Sequence, residues 1–244
     1  MDRLQKTLLV SLISASAVMW FILKDQADLM MMSMMTYDPL AFSLFIAVWT
    51  AGMAAMMFPA ILPMVLLYNK LITGNVGTVV KERSYPLKIA LFVGSYLAVW
   101  ALVGAVMLLT WSVLTENFLM GIEGSQFEIV YGIILLIAGA YQFSPLKTKC
   151  LGYCESPMSF FTRRWRRGTV GAIKMGTYHG LYCLGCCWPY FLLMIALGWM
   201  NLAWMALFAG VIFGEKIWRR GIWVARVAGT GFIIFALIRI LVAA

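Results

Sequence analysis

Long segments without charged residues dominate the pattern of hydrophobic and polar positions along this 244-residue chain. A bilayer core about 30 Å thick requires about 20 apolar residues in an α-helix. Runs of this kind predict seven membrane spans, at residues 7–23, 39–69, 89–115, 129–146, 169–198, 202–214 and 222–242. The uncharged stretch Met175–Gly214 is about twice as long as one crossing needs, so we expect it to turn near 198–201 and return. Six spans would result if one segment is re-entrant.

The composition agrees with a membrane protein. Apolar residues make up 63% of the chain and charged residues only 12%, whereas an ordinary globular protein is about half apolar and a quarter charged. The sequence therefore predicts an all-α, polytopic transmembrane helical bundle, with residues 1–244 as a single transmembrane domain. The net charge of +9 does not indicate nucleic-acid binding, because the charges follow the predicted membrane topology.

Lysine and arginine are concentrated on one side of the predicted bundle. If the N-terminus is cytoplasmic, 15 of the 19 basic residues lie on the cytoplasmic side. They are Arg3 and Lys6; Lys70, Lys81, Arg83 and Lys88; Lys147, Lys149, Arg163, Arg164, Arg166 and Arg167; and Lys216, Arg219 and Arg220. The positive-inside rule then predicts an N-in, C-out topology, with a cytoplasmic amphipathic loop at 144–168 whose arginines contact anionic lipids. We expect Glu215 and Lys216 to pair or to snorkel at a helix end.

The first span resembles a signal peptide in its length and in the basic residues before it. No small-residue cleavage site follows the apolar run. We therefore expect it to be a retained anchor helix.

The five cysteines fall in two clusters. Cys150 and Cys154 lie in the 144–168 loop, and Cys183, Cys186 and Cys187 lie in the middle of the fifth span. At 100° per residue, these three thiols share one helix face with His179, the only histidine. The same span carries a seam of small residues that favours close packing against a neighbouring helix. The seam consists of Gly168, Ala172, Gly176 and Gly180.

The second span has a helix face that is rich in methionine. Its methionines Met53, Met56, Met57 and Met64 fall within an arc of about 100°. Pro59 and Pro63 interrupt the same helix, and we expect them to bend or locally unwind it. These methionines and the fifth-span thiols lie at similar depth, so a shared site is possible, although spacing alone does not show that the two spans touch. A third methionine run, Met30–Met35, is predicted on the outer side.

Thiolate and thioether ligands favour Cu(I), and thiolate with imidazole also suits Zn(II). The candidate metal ligands are Cys183, Cys186, Cys187, His179, Cys150, Cys154, Met53, Met56 and Met57. Simple packing of buried cysteine and methionine is the alternative interpretation of both clusters. A disulfide between Cys150 and Cys154 is disfavoured in a reducing cytoplasm. Attached haem is disfavoured because the chain has no Cys-x-x-Cys-His string.

Two strings in this sequence are specific. The first is Tyr141-Gln142-x-Ser144-Pro145-Leu146-Lys147-x-x-Cys150-Leu151-x-x-Cys154-x-Ser156-Pro157, and the second is His179-Gly180-Leu181-Tyr182-Cys183-Leu184-Gly185-Cys186-Cys187-Trp188. With Met53–Pro63, Met200–Met205 and Glu215-Lys216, they resemble a bacterial and archaeal family of predicted metal-binding integral membrane proteins, often labelled membrane copper chaperones. The resemblance covers about residues 45–240 and implies a multi-pass protein of the prokaryotic inner membrane. Pro189 departs from the family pattern and should bend the helix just beyond the thiols; Glu155 stands where the family has arginine.

Three functions follow as hypotheses. The first is a non-catalytic protein that binds Cu(I) and delivers it to a copper-accepting protein or across the bilayer. In it, Cys150 and Cys154 form a cytoplasmic docking or exit pair, and Met30–Met35 an outer capture loop. The second is an accessory subunit of a larger membrane complex, such as a copper-dependent oxidase or monooxygenase. The third is a thiol–disulfide enzyme that uses Cys186 and Cys187, which is disfavoured because the thiols lie deep in the membrane.

Overall fold

The computed structural model describes residues 3–24, 38–73, 85–117, 124–197, 201–218 and 220–243, together with positions 26, 28 and 32. Within these residues the chain forms nine α-helices. They are α1 (Arg3–Leu23), α2 (Pro39–Thr73), α3 (Tyr85–Asn117), α4 (Gly124–Tyr141), α5 (Pro145–Glu155), α6 (Pro157–Arg164), α7 (Gly168–Ala196), α8 (Leu202–Ile217) and α9 (Gly221–Ala243). The predicted all-α class is therefore confirmed. The Met30–Met35 run lies outside the described residues apart from Met32.

Helices occupy all seven segments that the sequence predicted as spans. Four of them are long and apolar enough to cross a membrane, namely Gln5–Leu23, Pro39–Thr73, Pro86–Thr115 and Gly221–Val242. A fifth span results if Gln126–Tyr141 and Pro145–Glu155, which meet at 62°, are counted as one bent segment. These counts rest on length and composition, so the total of seven spans and their orientation stay predictions.

The predicted fourth span, 129–146, is wrong at its end. The helix stops at Tyr141, and a turn leads into α5 at Pro145. The turn is specified locally, because the Ser144 side chain accepts a hydrogen bond from the Lys147 backbone N–H at 3.0 Å and Pro145 fills the first turn. Serine at the N-cap followed by proline is a favourable helix start. The segment predicted as a cytoplasmic loop is therefore helical over most of its length, in α5 and α6.

Three helix pairs make up most of the bundle. Helix α4 packs along α9, α3 packs along α7, and α1 packs on α2. Helix α2 also contacts α3 and α8, while α5 packs between α7 and α8. The sulfur-bearing parts of α2, α5 and α7 therefore face a common interior.

The small-residue seam of α7 packs closely against a neighbouring helix, as the sequence predicted, and that helix is α3. A side chain at Gly176 would overlap the Phe92 backbone carbonyl, and one at Gly180 would press on Val99 at 3.0 Å. Ala172 is fully buried in the same row. Gly168 has a different role, because it begins the helix with a φ of 80°, a left-handed conformation that favours glycine.

Prolines inside α2 and α7 free backbone carbonyls that other helices use. Pro59 has no N–H for the Ala55 carbonyl, which instead accepts from Ser16 Oγ at 2.6 Å and from Trp20 Nε1 at 3.2 Å, both on α1. Pro189 likewise leaves the Gly185 carbonyl free, and the Tyr141 hydroxyl donates to it. These contacts replace the bonds lost at Pro59 and Pro189. Both helices continue through their prolines, α2 to Thr73 and α7 to Ala196.

Candidate metal centre

Three thiols of α7 form a compact group. The Sγ atoms of Cys183, Cys186 and Cys187 all lie within 4.8 Å of one another, and all three side chains are fully buried. Cys186 Sγ and Cys187 Sγ are 3.3 Å apart. Spacings of three and four residues place side chains on one face of a helix, which is the arrangement that the sequence predicted.

Met57 joins this group from α2. Its Sδ lies 4.0 Å from Cys183 Sγ, so the second and fifth predicted spans bring their sulfur atoms together. The sequence left this contact open. Met53, Met56 and Met64 are buried in the same helix, but in the described part of the chain Met57 is the methionine that reaches a thiol.

Cys154 adds a fourth thiol from α5. Its Sγ lies 3.8 Å from Cys186 Sγ. Cys150 lies one turn earlier, where its Sγ would be 2.7 Å from a side chain placed at Gly185. Both cysteines are buried and lie on a helix instead of in an irregular loop; their role as a cytoplasmic docking or exit pair stays a prediction. We refer to Met57, Cys154, Cys183, Cys186 and Cys187 as the sulfur cluster.

A buried ion pair explains why α5 folds back onto the thiols. Lys147 Nζ lies 2.7 Å from Glu215 Oε2, and neither side chain is exposed. Lys147 also donates to the Cys186 carbonyl at 2.7 Å, and the Tyr190 hydroxyl donates to Glu215 Oε1 at 2.5 Å. An unpaired charge at this depth would be very unfavourable, so the pair fixes α5 against α7 and α8.

Sequence reasoning missed this arrangement. Lys147 was counted among the cytoplasmic basic residues, and Glu215 and Lys216 were expected to pair or to snorkel at a helix end. In the structure Glu215 pairs with Lys147, and Lys216 turns towards the thiols instead. A usable signal was present, because Lys147 and Glu215-Lys216 both belong to the strings that carried the family resemblance.

Lys216 is the charged group in direct contact with the sulfur cluster. Its Nζ lies 2.8 Å from Cys183 Sγ and 3.7 Å from Met57 Sδ, and the side chain is buried. The Tyr96 hydroxyl lies 3.2 Å from the same Cys183 sulfur. Of these two neighbours, Lys216 is the one that donates a hydrogen bond to the sulfur, and a thiolate is the form of cysteine that binds metals.

His179 lies beside the cluster, within an aromatic enclosure. Its ring stacks on Tyr96, with centroids 5.5 Å apart, and meets Phe160 edge-on at the same distance. The ring is buried, and neither nitrogen has a hydrogen-bond partner among the described residues. His179 is not part of the three-thiol group, so the structure brings the predicted imidazole ligand near the cluster without joining it to the thiols.

The donor set fits a soft metal ion. It consists of four thiols and one thioether in an apolar interior, and all five cysteines of the chain are free. Thiolates and thioethers select Cu(I) among the common metals, and a set of thiolates also accepts Zn(II). The predicted metal-binding chemistry is therefore compatible with the arrangement of the side chains.

Comparison with known proteins supports the same interpretation. A model of the family PpoB2, described as copper chaperone, matches residues 46–239. No curated protein and no solved structure matches the chain. The matched segment contains the whole sulfur cluster, the Lys147–Glu215 pair and Lys216. The family description is that of a chaperone and not of an enzyme. Because the match spans well over half of the 244 residues, the chain belongs to the PpoB2 copper chaperone family.

Proposed function

We propose that this protein binds Cu(I) at the sulfur cluster inside the membrane and transfers it to a copper-accepting protein. The observation that carries the proposal is the group of three buried thiols within 4.8 Å, with Met57 Sδ 4.0 Å from one of them. Cys183, Cys186 and Cys187 would be the primary ligands. Met57 supports copper over zinc, because a thioether is a good ligand for Cu(I) and a poor one for Zn(II).

Cys154 provides a route by which the metal can leave. It lies 3.8 Å from Cys186 Sγ on a separate helix, so a metal can pass from one thiol to the next by ligand exchange. Cys150 follows one turn away on the same helix, against Gly185. In this proposal α5 carries the metal from the cluster towards the side of the membrane on which 144–168 lies, which the charge distribution assigns to the cytoplasm.

Elemental analysis after anaerobic purification in mild detergent tests the binding site. We expect near-stoichiometric copper in the natural protein and its loss in a Cys183→Ser, Cys187→Ser double variant. Cys150→Ser is the matched control, because its sulfur packs against Gly185 instead of joining the three-thiol group. Unchanged copper content in the double variant would refute the proposal.

A second pair of variants isolates the thioether. Met57→Leu removes the sulfur that contacts Cys183, whereas Met56→Leu removes a buried sulfur on the preceding residue of the same helix. We expect weaker Cu(I) retention from the first variant only, with a loss of about one sulfur neighbour in copper X-ray absorption spectra. Equal retention in both variants would remove Met57 from the ligand set.

The proposed setting is the prokaryotic inner membrane, in contact with lipids, with seven spans, a cytoplasmic N-terminus and an external C-terminus. Its support is that α1–α4 and α7–α9 occupy all seven predicted segments, together with the one-sided distribution of Lys and Arg. Reporter fusions at each terminus, one active only inside and one active only outside, test the orientation. Termini on the same side would require an even number of spans.

The copper-accepting partner is part of the proposal, with a permanent association in a larger complex as the alternative. Mild-detergent purification distinguishes the two. A chaperone is expected to purify without stoichiometric partners and to lose copper to an added thiol-rich acceptor. Stable co-purification of other membrane subunits would favour the accessory-subunit hypothesis. Thiol–disulfide catalysis on protein substrates is disfavoured because Cys186 and Cys187 are fully buried.

A further inference from the structure

Lys216 places an ammonium group against two of the proposed ligands at once. Its Nζ lies 2.8 Å from Cys183 Sγ and 3.7 Å from Met57 Sδ. The side chain is 4% exposed, so neither water nor lipid headgroups screen its charge. A positive group in this position is unexpected for a site that binds a cation, since the two positive charges repel each other at short range.

The charge on Lys216 has no carboxylate to balance it in the described part of the chain. The nearest acid in sequence, Glu215, is fully engaged by Lys147 at 2.7 Å and by the Tyr190 hydroxyl at 2.5 Å. The Lys147–Glu215 pair is therefore neutral as a unit. The sulfur cluster consequently faces one net positive charge, which only its own thiolates can neutralise.

We propose that Lys216 is a specificity-determining residue that selects a monovalent over a divalent metal ion at the sulfur cluster. The inference rests on the proposed function and adds a metal-selection rule to it. Repulsion between a fixed charge and a metal ion grows in proportion to the charge of the ion, and it is strong where the surroundings are apolar. A Zn(II) or Cd(II) ion is therefore penalised about twice as much as Cu(I) by the same ammonium group.

Charge balance leads to the same selection. With Lys216 positive, Cu(I) and two thiolates give a neutral cluster, and the Met57 thioether adds a ligand without adding charge. A divalent ion requires a third thiolate to reach neutrality, so one more buried thiol would have to lose its proton. The geometry favours the first arrangement, because Met57 Sδ already lies 4.0 Å from Cys183 Sγ.

Metal competition in detergent under anaerobic conditions tests the proposal. Dissociation constants for Cu(I) and for Zn(II) are measured with chromophoric chelators on the full chain, for the natural protein and for Lys216→Leu, Lys216→Gln and Lys216→Arg. Leucine and glutamine remove the charge without adding a sulfur ligand, and arginine retains it. Lys174→Leu is the control, since this lysine is exposed on α7.

We expect both neutral variants to shift the affinity ratio towards Zn(II) by at least about 10-fold, while Lys216→Arg and Lys174→Leu retain the natural ratio. Two neutral variants are used so that a folding defect in one leaves the comparison intact. An unchanged ratio in a folded neutral variant that still binds Cu(I) would overturn the inference. Failure of the natural protein to bind Cu(I) would instead refute the proposed function, and the inference with it.

Discussion

Replacing Lys147 with methionine removes one half of a buried ion pair and leaves Glu215 with the Tyr190 hydroxyl alone. Both members of the pair are 0% exposed, so the full penalty for an uncompensated buried charge applies, about 3–5 kcal/mol. Loss of the bond to the Cys186 carbonyl adds about 1 kcal/mol. The combined loss is about 4–6 kcal/mol. At about 2–4 °C per kcal/mol for a chain of this size, Tm should fall by at least about 8 °C.

Thermal unfolding in mild detergent, followed with a thiol-reactive dye, measures this effect. The dye suits the protein because all five cysteines are buried until the chain opens. The complete cycle compares the natural protein with Lys147→Met, Glu215→Gln and the double variant, which carries no buried charge at this position. We expect the double variant to recover most of the lost stability. A Lys147→Met variant that melts within about 2 °C of the natural protein would refute the role assigned to the pair.

Two further predictions use the same assay. Gly176→Ala should destabilise the α3–α7 contact by about 1–3 kcal/mol, because the added methyl would overlap the Phe92 carbonyl. Gly210→Ala is the control, since Gly210 faces open space on α8 and its substitution should not lower Tm. Equal Tm values for the two variants would contradict the role of the small-residue seam in this contact. Ser16→Ala should cost only about 0.5–1.5 kcal/mol, because Trp20 Nε1 still donates to the Ala55 carbonyl. Trp20→Phe should lower the stability more in the Ser16→Ala variant than in the natural protein, because the Ala55 carbonyl then has no donor left and Pro59 offers it no N–H. Strictly additive losses of stability would contradict the explanation that Ser16 and Trp20 share one acceptor.

The length of the charge-free apolar runs was sufficient to predict seven of the nine helices, α1–α4 and α7–α9, but not α5 and α6. The three α7 thiols met because helical spacing alone places them on one face. The small-residue seam could also be read from spacing, and the contact with α3 follows it at Gly176 and Gly180. These features depend on residues close together in the chain, where local geometry decides the outcome.

Contacts between distant segments could not be predicted in the same way. The approach of Met57 to Cys183 depends on how α2 and α7 are arranged in the bundle, and no local rule fixes that arrangement. The burial of α5 was missed because its mean composition is polar, and its Lys147 looks like an ordinary basic residue at the membrane surface. A lysine in an apolar interior needs a partner for its charge, and the partner of Lys147 is Glu215, which lies 68 positions later in the chain.

Tyr141 and Pro189 provide the sharpest test of how the backbone near the thiols is held. The Pro189 ring removes the N–H that would bond the Gly185 carbonyl, and the Tyr141 hydroxyl donates to that carbonyl instead. Tyr141→Phe should therefore leave a carbonyl inside the bundle without a partner, at a cost of about 1–3 kcal/mol. Pro189→Ala restores the N–H, so the same Tyr141→Phe change should cost much less in the Pro189→Ala variant.

The measurement is a four-protein cycle of Tm values, with copper retention recorded on the same samples. Tyr141→Phe removes one donor to the Gly185 carbonyl, and Pro189→Ala restores another. Their effects on Tm are coupled only if both act on that carbonyl, in which case the double variant is more stable than the sum of the two single effects predicts. Gly185 immediately precedes Cys186 and Cys187, and loss of its partner should also weaken copper retention while Pro189 is present. Additive effects of the two substitutions would show that the Tyr141 hydroxyl and the Pro189 ring do not act on the same carbonyl.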